Sequence, residues 1–141
     1  MIEEYLHNCL FFTASKLSRI ITKMAEEEFS ITGLSPAYAF LIMLVNDKPD
    51  ITQKELCRHL HLTQSTVTRF IDKLESKGLV TRRTDGKNSH INTTKKGKQL
   101  QGNIEKSWER LYERYSAILG KEEGDLLTQL TDEAGFKLDS E

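Results

Sequence analysis

The chain has 141 residues, 38% of them hydrophobic and 29% charged, which is the balance of a soluble domain large enough to enclose a core. No apolar run approaches the roughly 20 residues of a membrane-spanning helix, and the opening MIEEYLHNCLFF carries acids where a signal peptide carries bases. Two cysteines, Cys9 and Cys57, make no disulfide framework, so we expect a cytoplasmic protein with no membrane partner.

The net charge of −1 conceals two blocks of opposite sign. Residues 51–100 hold 11 Lys and Arg against four Asp and Glu, a local charge of +7, and the other residues hold nine against 17, a charge of −8. This asymmetry predicts a basic working surface on an acidic support. The alternative is a chance fluctuation in a charged surface.

The first part of the chain predicts two helices. Between residues 3 and 29, apolar residues recur at steps of three or four, which predicts one long amphipathic helix. Ser35 fits an N-cap with Pro36 at the first helical position. The helix that follows runs to about Asn46 and is apolar nearly all round, which is typical of a buried helix.

Two shorter helices are predicted next, joined by a turn that contains His61. Thr52-Gln-Lys-Glu55 fits the capping-box pattern at the start of a helix that ends near Leu60. Thr63 caps the following helix, which runs from Gln64 to about Lys77, and Gly78 fits the C′ position after it.

A β-hairpin and two further helices complete the predicted order. Asp85-Gly86 between β-branched residues predicts strands at 79–84 and 89–94. Helical periodicity returns from about Lys95 to Gly120, and a last helix carries Leu126, Leu127 and Leu130. The fold class is therefore mainly α with a small β-hairpin wing, a winged helix-turn-helix in a single domain.

The second helix of a helix-turn-helix enters the major groove of DNA and presents its N-terminal residues to the base edges. Hydroxyl, amide and guanidinium groups suit that position because they hydrogen-bond bases and phosphates. The candidate contacts on this helix are Thr63, Gln64, Ser65, Thr66, Thr68, Arg69 and Lys73. If these hydroxyls only capped and solvated a surface helix, Thr63 alone would suffice. The core face of the same helix is predicted to hold Val67, Phe70, Ile71 and Leu74.

Two further groups of residues are candidate backbone contacts. Arg82, Arg83 and Lys87 are expected on or beside the tip of the wing, where they could reach phosphate or the minor groove. Thr52, Gln53 and Lys54 open the first helix of the motif as candidate phosphate clamps. An ordinary solvated hairpin would also carry charged residues, so none of these side chains indicates a DNA contact by itself.

The chain resembles the MarR family of bacterial transcriptional regulators over essentially its whole length, 1–141. The resemblance rests on LSPAYAFLIML, ITQKELCRHLHLTQSTVTRFIDKLESKGLVTRR and TTKKGKQL, in that order and spacing. It implies a winged DNA-binding region at 35–98, dimerisation helices at 1–30 and 99–141, and a homodimer on double-stranded DNA with a palindromic operator. It further implies repression released by a small-molecule effector or by oxidation, with no cofactor.

Two departures from the family pattern concern the DNA-binding region. His61 stands at a turn position that is often glycine, which predicts a strained backbone. The wing is short, with Thr84-Asp85-Gly86-Lys87-Asn88 as its predicted tip, so its reach into the minor groove is in question.

Other chemistry has weaker support in the sequence. Cys9 lies near the start of the first helix, where a branch of the family keeps an oxidant-sensing cysteine, but a buried interface cysteine is the preferred reading. Cys57, His59 and His61 do not share a helix face, so no metal site is expected. No catalytic site is recognised, so the chain is not expected to be an enzyme. The alternative function is a winged-helix protein-interaction module that does not read DNA sequence.

Overall fold

A computed structural model describes residues 1–140. Those residues form eight α-helices, three strands and a 3₁₀ turn over Phe29–Thr32. The helices are α1 (Ile2–His7), α2 (Leu10–Glu28), α3 (Pro36–Asp47), α4 (Gln53–Leu60), α5 (Gln64–Ser76), α6 (Lys95–Gln99), α7 (Gln101–Leu119) and α8 (Lys121–Asp139). The strands are β1 (Ile51–Thr52), β2 (Val80–Asp85) and β3 (Asn88–Thr93).

The prediction of one continuous helix over 3–29 is wrong, because the chain breaks between α1 and α2. The Asn8 side-chain amide donates to the carbonyl oxygen of Glu4 at 2.8 Å, and Cys9 adopts an extended backbone with φ −102° and ψ 119°. An asparagine that bonds its own preceding turn competes with helix continuation. Cys9 consequently becomes the N-cap residue of α2.

Side-chain caps fix the starts of the three central helices. Ser35, Thr52 and Thr63 each accept a hydrogen bond from the backbone N–H three residues later, at 3.4, 3.2 and 3.3 Å. Each bond satisfies an amide that has no partner within the helix. The predicted starts of α3, α4 and α5 are therefore confirmed, and Gly78 at φ +73° confirms the predicted C′ glycine.

The wing is a hairpin with the tightest common turn. Asp85 pairs with Asn88, so only Gly86 and Lys87 form the turn, and Gly86 has φ +60°, as a type II′ turn requires. The strands are shifted by one residue from their predicted bounds. A third strand, β1, was not predicted, because it has only two residues and one of them, Thr52, opens the capping pattern; it pairs with β3 through Ile51 and Ile91.

The predicted helix from Lys95 to Gly120 is divided at Leu100 into α6 and α7. Thr94 caps α6 by accepting from the Gly97 amide at 3.2 Å. Gly97 is buried, and a Cβ at this position would lie 2.2 Å from the carbonyl oxygen of Leu79. This close approach holds α6 against the residue that precedes β2.

One hydrophobic core joins the helix-turn-helix, the sheet and the start of α7. Its fully buried members include Phe29, Leu41, Ile42, Leu56, Val67, Ile71, Leu74, Ile91 and Ile104. The predicted core face of α5 is confirmed, with Phe70 partly buried and its ring edge-on to Tyr38 at 4.6 Å. Within residues 1–140, no single helix is long and apolar enough to cross a membrane.

Candidate nucleic-acid interface

The N-terminal turn of α5 presents a cluster of linked hydroxyls. The Thr63 hydroxyl lies 3.2 Å from that of Ser65 and donates to that of Thr66 at 3.0 Å, while accepting from the Thr66 amide. Gln64 and Ser65 are exposed, and Thr66 is half-buried. The cap thus orders the neighbouring side chains, and the exposed amide of Gln64 and hydroxyl of Ser65 can meet base edges or phosphates.

Gln53 and Thr68 form the joint between α4 and α5. The Gln53 amide donates to the Thr68 hydroxyl and lies 3.4 Å from both the carbonyl and the side-chain oxygen of Gln64. Thr68 in turn donates to the Gln64 carbonyl at 2.8 Å. These two candidate DNA contacts therefore already have partners that set the position of one helix on the other.

The turn between α4 and α5 has the strained backbone that the sequence predicted. His61 has φ +54°, in the left-handed region that costs a residue with a side chain of order 1 kcal/mol. The Leu62 amide donates to the Cys57 carbonyl at 3.2 Å across this turn. The reversal brings the start of α5 to the protein surface beside the start of α4.

Arg82 was predicted on or beside the wing tip, but it lies away from the tip. Arg82 pairs with Ile91 in the middle of the hairpin, and its guanidinium donates to Asp72 and, at 3.3 Å, to Glu75 on α5. Its side chain is 23% exposed, and the bond to Asp72 raises the Arg82 pKa further above its ordinary range. The sequence alone does not reveal this contact, because the direction of a strand side chain depends on the register of the sheet.

Arg83 lies on the opposite face of the hairpin from Arg82, toward the turn before β1. Its guanidinium contacts Asp50 at 3.0 Å, and its side chain is 57% exposed. Lys87, in contrast, occupies the two-residue turn itself and is exposed. The structure therefore separates the three wing cations that the sequence grouped together.

Several basic side chains remain outside these pairs. None of the ion pairs among residues 1–140 includes Lys54, Arg69, Lys73 or Lys87, and all four are exposed. Lys96, by contrast, donates to the carbonyl of Lys77 at 3.3 Å at the end of α5. The exposed four lie on α4, α5 and the wing tip, on the elements that bind DNA in a winged helix.

A cleft of about 730 Å³ lies between α3, α4 and α7. It is mainly apolar, with Phe40, Met43, Leu44 and Leu60 on its walls, and its polar groups are Asn46, Asp47, His59 and Gln101. Asn46 donates to Gln101 at 2.9 Å and accepts from Thr93 at 2.7 Å. The cleft is open to solvent, and its lining combines apolar walls with a few polar groups, as small-molecule sites do.

The two cysteines lie in different settings. Cys9 is exposed between α1 and α2, whereas Cys57 is partly buried against the core, and burial raises the pKa of the Cys57 thiol. Among residues 1–140, no three His, Cys, Asp or Glu side chains come together in an arrangement that could hold a metal ion.

The outer helices leave large apolar side chains in contact with solvent. Trp108 on α7 is 51% exposed and stacks on Tyr112 with ring centroids 6.2 Å apart. Further exposed side chains on α1, α2 and α8 include Ile2, Tyr5, Phe11, Ile20, Leu126, Leu130 and Phe136. Contiguous exposed apolar patches mark surfaces that contact a protein, a ligand or a membrane.

Comparison with known proteins identifies relatives across this architecture. Residues 32–89 match the model of the MarR family. An uncharacterized HTH-type transcriptional regulator of Bacillus subtilis (strain 168), YwoH, is 28% identical over 131 residues, which cover 92% of this chain and 88% of the relative. The matched family region contains α3, α4, α5 and most of the hairpin.

Two solved structures share the fold. The transcriptional repressor CouR bound to p-coumaroyl-CoA has a TM-score of 0.82 at 22% identity, covering 92% of this chain and 94% of that one. MepR of S. aureus in a DNA complex has a TM-score of 0.79 at 17% identity, covering 92% and 97%.

Proposed function

Because the chain belongs to the MarR family of transcriptional regulators, we propose that it is a homodimeric repressor that binds a palindromic operator and is released by a small-molecule effector. Family membership makes it a DNA-binding transcriptional regulator and not an enzyme. The finer assignments rest on three surfaces of this chain: the start of α5, the apolar face of the outer helices, and the cleft.

The observation that carries the proposal is the exposed N-terminal half of α5. Gln64, Ser65 and Arg69 face solvent, while Val67 and Ile71 on the opposite face are fully buried. The core thus fixes the helix, and its polar face is left to read the major groove. Arg69 suits a guanine edge, since a guanidinium can donate two hydrogen bonds to it.

The apolar outer face supports the homodimer. Trp108 on α7 and Leu126 and Leu130 on α8 are each more than half exposed. A twofold dimer would cover such a face and place two α5 helices on successive major grooves, about one helical turn apart. The palindromic operator follows from that symmetry.

The cleft supports the effector. It lies where α3 and α4 of the winged region meet α7 of the outer helices. A molecule bound there contacts both parts of the chain, so it can change how the winged region sits on the dimer. A ligand screen that measures dissociation of the operator complex would identify the effector.

A fluorescence-anisotropy titration tests DNA reading. The labelled duplex is the region just upstream of the protein's own gene, with a scrambled duplex of equal composition beside it, both across a salt series. We expect a preference of about a thousandfold or more for the operator duplex. Equal, steeply salt-dependent binding to both would refute specific reading there and favour the protein-interaction module.

Arg69→Ala provides the matched test of α5. We expect an affinity loss of about 1–3 kcal/mol and a relaxed preference at one base pair. Arg110→Ala, which removes an exposed arginine from α7, is the control and should leave sequence preference unchanged. Loss of preference in both variants, or in neither, would count against the proposed role of Arg69.

A further inference from the structure

A polar cluster joins the turn before β1 to the two long strands of the wing. The Asp50 carboxylate accepts from Asn92 at 2.9 Å and from Arg83 at 3.0 and 3.3 Å. The His90 ring nitrogen Nδ1 lies 3.1 Å from the Asp50 carbonyl and 3.5 Å from its carboxylate. A residue outside the wing therefore contacts three residues within it.

Asp50 is fixed independently of Arg83. Its backbone N–H donates to the Asn92 side-chain oxygen at 2.8 Å, while the Asn92 amide donates back to the carboxylate. The backbone of Asp50 has φ +65°, an unusual conformation for a residue with a side chain that the two bonds help to hold. The hydrogen bond from Asn92 is the largest cause of a pKa for Asp50 below its ordinary value of 3.8.

The contact holds one edge of the Arg83 guanidinium and leaves the rest open. Nη2 faces Asp50, whereas Nη1 has only a distant neighbour, Asp85, at 3.9 Å. More than half of the Arg83 side chain is exposed. The guanidinium has five N–H donors in a fixed plane, so it can bind DNA without releasing Asp50.

We propose that Asp50 is the positioning residue for Arg83, holding its guanidinium ready to meet DNA phosphate or the minor groove beside the wing. The proposal rests on the proposed DNA-binding function. A free arginine loses side-chain entropy when it is ordered at an interface, and Asp50 removes part of that cost before DNA arrives. The neighbouring Arg82 has no such role, since Asp72 and Glu75 hold it against α5.

The Asp50 carboxylate also acts in the opposite direction, because a carboxylate near DNA repels phosphate. Arg83 lies 3.0 Å from the Asp50 carboxylate. A phosphate that contacts the open edge of the guanidinium lies nearer to that cation than to the carboxylate, so the attraction exceeds the repulsion. The ordering of Arg83 should therefore outweigh the repulsion.

A double-mutant cycle tests the proposal with the full-length protein. The four proteins are wild type, Asp50→Asn, Arg83→Gln and the double variant, each titrated with the upstream duplex by anisotropy. Asp50→Asn keeps the side-chain shape and an acceptor for Asn92, but it removes the charge that holds Arg83. We expect it to weaken binding about three- to tenfold in wild type, and less than about twofold when Arg83 is already Gln.

Two outcomes of the binding measurements would overturn the proposal. Equal weakening in both backgrounds would make Asp50 a structural residue of the turn, not one that acts through Arg83. Tighter binding by Asp50→Asn, with a steeper salt dependence, would make it a competitor of phosphate. Either result is compatible with specific operator binding by the wild type, so the proposed function would survive.

Chemical unfolding of the same four proteins tests the contact between Asp50 and Arg83 in the absence of DNA. If the wild type did not distinguish operator from scrambled duplex, the proposed function would fail, but the Asp50–Arg83 contact could still be measured. If the change in unfolding free energy of the double variant equalled the sum of the two single changes, the proposal that Asp50 orders Arg83 would be overturned. A non-zero coupling would support it.

Discussion

Substitution of Gly97 by alanine is the sharpest test of the packing between α6 and the wing. The added methyl carbon would lie 2.2 Å from the Leu79 carbonyl oxygen and 3.1 Å from the Thr93 Cβ atom. The Leu79 oxygen belongs to the backbone and also accepts from the Thr94 amide at 3.0 Å. It cannot move aside without loss of that bond, so α6 itself must shift.

Two opposing terms set the magnitude. Overpacking of a methyl group in a packed site costs typically about 1–3 kcal/mol, and a backbone contact places Gly97 toward the upper end. Alanine gains up to about 1 kcal/mol over glycine in helix propensity. We expect a net loss of about 2 kcal/mol in the free energy of unfolding, equivalent to roughly 4–8 °C in Tm for a chain of this size.

The assay is thermal and urea unfolding followed by circular dichroism at a fixed protein concentration, because the stability of the proposed dimer would depend on concentration. Gly102→Ala is the matched control, since a Cβ at this exposed position of α7 meets nothing within 4 Å. It should stabilise the protein by about 0.5–1 kcal/mol. If Gly97→Ala also raised Tm, the close packing of α6 on Leu79 would be refuted.

Five further substitutions test three separate features. Arg82→Ala should cost up to about 1 kcal/mol of stability and leave the salt dependence of DNA binding unchanged. Lys87→Ala should reduce the slope of that salt dependence by about one. Equal slopes for both variants would contradict the assignment of Lys87, and not Arg82, to phosphate contact. His61→Gly should raise stability by about 0.5 kcal/mol by relieving its positive φ, while His59→Gly within α4 should lower it by about 1 kcal/mol. Leu130→Glu should yield monomers in sedimentation-velocity experiments, and an intact dimer would show that this face of α8 lies outside the interface.

Local signals in the sequence predicted the parts of the fold that local chemistry determines. Thr52 and Thr63 mark helix starts because a cap needs only its own next three residues. Asp85-Gly86 marks the wing because a tight hairpin turn needs a residue that tolerates positive φ. The amphipathic pattern of α5 likewise located the side that packs on the core and the side that remains exposed.

The errors arose where structure depends on distant residues. Arg82 and Arg83 are adjacent, yet one contacts α5 and the other the turn before β1, because successive strand residues point to opposite faces. Asp50 and Asn92 lie 42 positions apart, so neither identifies the other without the sheet register. Asp50 is not singled out by any sequence pattern, and the tolerance of aspartate for a left-handed backbone was the one signal available.

The break between α1 and α2 has a local cause that the hydrophobic periodicity of the sequence does not show. Asn8 interrupts an otherwise helical pattern by bonding to its own preceding turn. The apolar repeat continues across the break because α1 and α2 both present apolar faces. The result places Cys9 at a junction between helices, with its side chain exposed in the single chain.

Thr52 belongs to two elements at once, and this limits how the protein can respond to a signal. It pairs with His90 in the sheet and also caps α4, while Arg82 fastens β2 to α5. The wing and both helices of the DNA-binding motif are thereby fastened into one mechanical unit. These contacts favour movement of the wing together with the two helices, so in the proposed dimer an effector would alter the separation of two such units more readily than the angle of a wing.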